Sequence, residues 1–172
     1  MQMVKRIVGG FFLSLIFLWL FAPKVELYYL LEKSLKEKNI IISNETVNDT
    51  WYGLKIENAE LYIDGAKIAN IEAFNFNFFF FYNTLTINTI KMDSSLAKLA
   101  PKEINSIYAK YSIIDPLNIK LDSKGSFGIM DGSLAFIERK IELLFPVPKE
   151  LNSIKKFLKK DKEKGWIYET NY

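Results

Sequence analysis

The chain has 172 residues, of which 49% are hydrophobic and 15% aromatic, and its formal net charge is +3. That apolar content supports a packed core and excludes intrinsic disorder as a class, while so small a charge gives no ground for nucleic-acid binding. With neither cysteine nor histidine, disulfides, thiol nucleophiles, zinc clusters and imidazole bases are excluded as well.

The N-terminal stretch "MVKRIVGGFFLSLIFLWLFAPK" reads as a membrane segment. Lys5 and Arg6 precede residues 7–22, which carry no charge and a single polar side chain, Ser14. At ~1.5 Å per residue that stretch reaches roughly 24 Å, less than the ~30 Å hydrocarbon core. Snorkelling of Lys5 and Arg6 and an interfacial Trp19 make up the difference. A cleaved signal peptide shares the same order of charge and apolar core, but no small-x-small pair follows here and Pro23 stands directly after Ala22. Residues 1–23 are therefore expected to be an uncleaved transmembrane signal anchor. Basic residues before the span favour a cytoplasmic N-terminus. The bulk of the chain would then be periplasmic, with the anchor in a bacterial inner membrane.

Residues 24–38 follow as a juxtamembrane helix. Leu27, Leu30, Leu31 and Leu35 fall on one helical face, with Lys and Glu on the other. The helix is expected to pack on the domain that follows.

From Ile40 the hydrophobic period changes to two, and residues 39–147 are expected to form one antiparallel β domain. "LKIEN" and "AELYID" alternate in opposite phase, so a bulge or bend is expected near Asn58. Asp64 and Gly65 mark a hairpin turn, and Asp131 and Gly132 a second one. Around Pro101 the pattern fits a helical turn or a loop.

The stretch "EAFNFNFFFFYNTLTIN" is the most unusual. As one extended strand it puts Phe74, Phe76, Phe78, Phe80 and Tyr82 on a single face. It is too short for a second membrane helix. Burying each ring is favourable by about 1.5–3 kcal/mol, so something must cover them. The chain's own helices, a lipid acyl chain and a partner strand or subunit are the three possible covers.

Residues 148–172 read as an amphipathic basic helix and a short terminal strand at "WIYE". Leu151, Ile154, Phe157 and Leu158 form its apolar stripe. Lys155, Lys156, Lys159 and Lys160 lie on its polar side, either solvated or in contact with anionic headgroups at a membrane surface.

No catalytic spacing emerges. "SLAK" (Ser95 to Lys98) and "SIKK" (Ser153 to Lys156) match S-x-x-K without its companion elements. No phosphate loop and no paired carboxylate motif are present. Two Asn-x-Thr sequons, at Asn44 and Asn48, have meaning only in a eukaryotic secretory pathway. The expectation is a protein that is not an enzyme, with no cofactor and no metal.

The order of parts resembles that of type II secretion protein N and of AsmA-like envelope proteins. The likeness lies in "WYGLKIENAELYIDGAKIANIEAFNFNF", at Gly53, Leu54, Ile56, Asn58, Leu61, Ala69 and Ile71, and in the later "GSFGIMDGSLAFIERKIEL". It extends over residues 24–169. It implies an inner-membrane protein with a curved periplasmic β-sheet, apolar on its concave face, and in AsmA-like members such a groove is associated with lipid passage. A small lipopolysaccharide-transport bitopic protein, a short jelly roll on one anchor, is a second similar architecture. This chain is too short to bridge an envelope alone. The expected function is accordingly a structural or assembly component of a secretion or envelope-transport complex with envelope protein partners. The alternative is a lipid-binding module whose apolar groove shelters the acyl chains of a phospholipid.

Overall fold

The computed structural model describes residues 2–79, 81–96, 100–149, 155–161 and 164–172. Two helices come first, α1 (Gln2–Leu20) and α2 (Lys24–Lys36). The strands are β1 (Ile40–Ser43), β2 (Thr46–Thr50), β3 (Gly53–Ile63), β4 (Ala66–Phe79), β5 (Tyr82–Met92), β6 (Glu103–Ser112), β7 (Asp115–Gly125), β8 (Gly128–Ala135), β9 (Lys140–Phe145), β10 (Lys159–Asp161) and β11 (Gly165–Asn171).

α1 is long and apolar enough to cross a membrane, and none of its residues is buried against the rest of the chain. α2 starts after Pro23, whose carbonyl accepts from the Leu27 amide, and ends with Lys33 and Lys36 in its last turn. That polarity suits the helix dipole. The helix does pack on the domain, against β1, β2 and β3. The buried contact is made by Tyr28 with Val25 beside it, whereas of the expected leucine stripe Leu35 alone is half-buried. Leu27, Leu30 and Leu31 remain exposed.

All eleven strands belong to one open, wholly antiparallel sheet. From β3 to β9 each strand pairs with its sequence neighbour. β11 then pairs with β9, and β10 forms the outer edge. At the other edge β1 and β2 share β3, one on each half of its length. The mainly β, antiparallel class read from the sequence is what the chain forms.

Asp64 and Gly65 make the β3–β4 turn with φ of 50° and 79°. Two left-handed residues in a two-residue loop match the twist of the flanking strands. The phase slip near Asn58 is also present, and it continues into the neighbouring strands. Asn58 and Thr89 both have left-handed φ, 57° and 46°. The β3–β4, β4–β5 and β5–β6 ladders step over Asn58, Glu72, Thr89 and Asn105. Across this line, residues three apart rather than two share a face, as with Ile71 and Phe74 or Ile104 and Ile107.

Three expectations are corrected. Asp131 and Gly132 lie inside β8, and the turn before it is formed by Ser126 and Phe127. Gly132 is needed there for a different reason: a Cβ would stand 2.7 Å from Leu143 Cδ2 and 3.4 Å from Leu121 Cβ. Next, the tail is not an α-helix in its described part. Lys155–Phe157 is one 3-10 turn and Lys159–Asp161 is a strand of the sheet, so Lys159–Asp161 and Gly165–Asn171 belong to the β domain. Leu151, Ile154, Ser153 and Lys162 lie outside the described residues. Finally, Tyr82 is not on the face of Phe74, Phe76 and Phe78. β4 ends at Phe79, and Tyr82 opens β5 opposite Phe79, on the other side of the sheet.

Candidate functional site: an open apolar sheet face

Alternation within strands, held in register across them, gives the sheet two unlike faces. Leu54, Phe76, Leu85, Ala109, Leu121, Gly132, Leu143 and Tyr168 stand in one line from β3 to β11. Beside it runs a second line of Val47, Ile56, Phe74, Ile87, Ile107, Ser123 and Met130. Ser123 is the polar member, and its hydroxyl donates to the Ser106 carbonyl at 2.9 Å. The opposite face carries Lys55, Asn75, Thr86, Tyr108, Asp122 and Asp131 in line. There the hydroxyls of Tyr82 and Tyr108 lie 2.8 Å apart and Lys110 sits over the Tyr82 ring. That hydrogen bond, with some desolvation, pushes Tyr108 up to about 12. Lys140 pairs with Glu142 and Glu169 on the same side. This face is made for water.

Among the described residues the apolar face is covered in two places. At the β3–β4 side, Tyr28 of α2 closes over Leu54 and Ile56, with Val47, Phe74 and Phe76 around them. Ile56 is 0% exposed. Tyr28 donates to Glu45 at 3.2 Å, and burial followed by that carboxylate pushes its phenol well above the ordinary range. At one end of β7–β9, Phe127 and Phe145 are buried among Ile104, Met130, Leu143, Leu158 and Trp166. Between these covers Leu85, Ile87, Ile107, Ala109, Leu121 and Leu134 are only half-buried.

The face continues toward the N-terminal helices as a cavity of about 400 Å³, lined by Trp19, Leu27, Tyr28, Leu31, Phe76 and Phe78 among others and almost wholly apolar. Its one charged lining side chain is Lys24, 4% exposed, whose ammonium lies 3.4 Å from Asp49 at the surface. Lys24 thus lays its aliphatic stem along the cavity and turns its charge outward. Trp19, at the end of α1, donates from Nε1 to the Phe78 carbonyl at 2.6 Å and packs on the Phe79 ring.

Of the expected aromatic face, Phe74, Phe76 and Phe78 are brought together, Tyr82 is on the polar side, and Phe80 lies outside the described residues. The basic cluster does not form one helical face. Lys155 sits over the Trp166 ring and Lys156 over Phe157, while Lys159 and Lys160 are exposed on the edge strand β10. All four belong to the end of the sheet remote from Trp19. Ser95 donates its amide to Asp93, and Lys98 is outside the described residues. Among the described residues no cluster of three or more acidic side chains could hold a metal ion. The sequence reading missed the exposed leucines of α2 as cavity walls, although their spacing was plain. Comparison with known proteins finds no matching family model, no matching curated protein and no matching solved structure.

Proposed function

We propose that the chain is a lipid-binding module of a bacterial envelope, held by α1 in the inner membrane with the sheet on the periplasmic side, and that its apolar face shelters phospholipid acyl chains. The observation that carries this reading is the half-buried apolar lane between α2 and the Phe127–Phe145 cluster. A closed core would bury Leu85, Ile107 and Leu121 as fully as it buries Ile56. Acyl chains require apolar walls and no hydrogen bonds, which is what this lane offers. A strand of about 11 residues is roughly 35 Å long, while one tail spans about half of the ~30 Å hydrocarbon core, so a tail fits along it. Lys5 and Arg6 before α1 support the orientation.

The assembly-component reading would need a sheet edge free to accept another strand. Both edges are guarded in the ways that natural sheets use. β10 is a three-residue edge with two lysines, and β1 and β2 are short strands beside α2. A kinship with AsmA-like envelope proteins belongs to this proposal. Its support is the shared order of one span, an amphipathic helix and a sheet with one apolar face.

Native mass spectrometry of the full chain, extracted from membranes in mild detergent, tests the proposal. Retained phospholipid is expected, and Leu121→Asp should lose it while circular dichroism stays sheet-like. Lipid binding unchanged in a folded Leu121→Asp, or a stoichiometric protein partner with no lipid, would reject it.

A further inference from the structure

The two ends of the strands are built from opposite chemistry. At one end lie the β2–β3, β4–β5, β6–β7 and β8–β9 turns together with the C-terminal residue. Their tips are Trp51, Phe81, Ile114, Ile137 and Tyr172, exposed by 82%, 66%, 92%, 73% and 56%. Turns in water favour Gly, Pro, Asn, Asp and Ser. At the opposite end the tight turns are Asp64 with Gly65 and Ser126 with Phe127, whose ring is tucked inside, and the longer β5–β6 connection opens with Asp93, Ser94 and Ser95. Exposed large apolar side chains at that end, among the described residues, are confined to the strand positions Ile63 and Ile129 and to Val147 and Phe157 between β9 and β10.

The apolar tips form one connected rim. The Phe78 amide donates to the Tyr52 carbonyl at 2.6 Å and the Ile113 amide to Phe81 at 3.1 Å. The Phe136 amide donates to Leu117 and the Tyr172 amide to Arg139, both at 2.9 Å. Successive turns are thus tied to one another or to the strand beside them. The rim also meets the end of α1, because Trp19 donates to the Phe78 carbonyl and its ring lies tilted against that of Phe79.

From this we infer that the rim of apolar turns is seated in the interface of the same bilayer that α1 crosses, so that the sheet stands on the membrane on its turn tips. Tryptophan at the end of a span marks interfacial depth. Trp19 holds the end of β4 at that depth, and the antiparallel register brings the other turns to the same end. Trp and Tyr suit the headgroup level, and Ile and Phe suit the acyl boundary just below it. An exposed apolar patch rimmed by polar strands needs such an occupant. The inference rests on α1 as a span but not on lipid in the lane. With the rim seated, the lane opens toward the bilayer, since its remote end is stopped by Phe127 and Phe145.

The chain has no cysteine, so single spin labels can be placed uniquely. The full chain in phospholipid vesicles would carry a label at Ile114→Cys, Ile137→Cys, Asp64→Cys or Ile16→Cys, and collisions with oxygen and with a water-soluble nickel chelate would be compared. The expected result is high oxygen and low nickel accessibility at positions 114, 137 and 16, and the reverse at 64. A membrane-buried label at 16 with water-exposed labels at 114 and 137 overturns the rim contact and leaves the anchor intact. A water-exposed label at 16 rejects the anchor and the rim contact together. Low accessibility to both reagents at 114 and 137 marks a protein interface and likewise overturns the bilayer assignment.

Discussion

Ile56 and Leu121 lie on the same apolar face, Ile56 between Val47 and Phe74 across the ladder and Leu121 between Ala109 and Gly132. One is sealed and the other is half-open. Two things separate them: Tyr28 and Val25 of α2 close over Ile56 and not over Leu121, and the partners of Leu121 are the smaller. Alternation fixes which side of a strand is apolar. What covers that side is decided by a separate element, and here that element is short. The sealed margin serves as the core of the domain, and the open lane is left without such a cover.

Four substitutions would break or sharpen this contrast. The largest effect is expected from Ile56→Ala, which should cost about 2–5 kcal/mol, because a fully buried branched side chain leaves a cavity. Leu121→Ala should cost under about 1.5 kcal/mol, since that side chain is already half-exposed. Urea unfolding of both variants tests the pair, and equal losses would mean that the lane is a closed core after all. Gly53→Ala should come next, at about 2 kcal/mol, because the new Cβ would run into the Phe76 carbonyl oxygen where β3 and β4 meet under the cover. Its effect should appear as faster hydrogen exchange in β2–β4 while β7–β9 stay protected. The smallest is Tyr28→Phe, which removes the bond to Glu45 but keeps the ring. About 1 kcal/mol is expected. A loss as large as that of Ile56→Ala would show that the hydroxyl, rather than ring burial, holds α2 down.

Local pattern made much of the fold legible. The change of period at Ile40, the left-handed pair at Asp64 and Gly65 and the slip at Asn58 are short-range features, and each appears where the residues put it. Failures arose where one pattern serves two causes. Asp131 and Gly132 look like a turn, but Gly132 is small because Leu121 and Leu143 crowd it from both sides. Leu27, Leu30 and Leu31 look like a packing stripe, yet the helix docks through Tyr28 and leaves them as cavity walls and open surface. Tyr82 continued the alternation of Phe74 to Phe78 only on the assumption that no turn intervened. The lysine-rich tail had helical spacing, but Trp166 and Ile167 recruit Lys159 and Lys160 into an edge strand. The rim was illegible for another reason. Its residues are scattered from Trp51 to Tyr172, and only the antiparallel register gathers them.

The meander has a consequence for how such a domain can change in size. Because β3 to β9 each pair with the next strand in the chain, one more hairpin inserted at a turn would widen the sheet by about 10 Å, two strand spacings. Insertion by pairs preserves parity. Every later strand keeps its direction, apolar tips stay at the α1 end, and alternation still points the same residues to the same face. A single added strand would reverse every later strand and carry its apolar tips to the far end. The width of the lane is therefore a quantity that duplication can adjust in steps of two without disturbing either the helix at one margin or the lysine-guarded edge at the other.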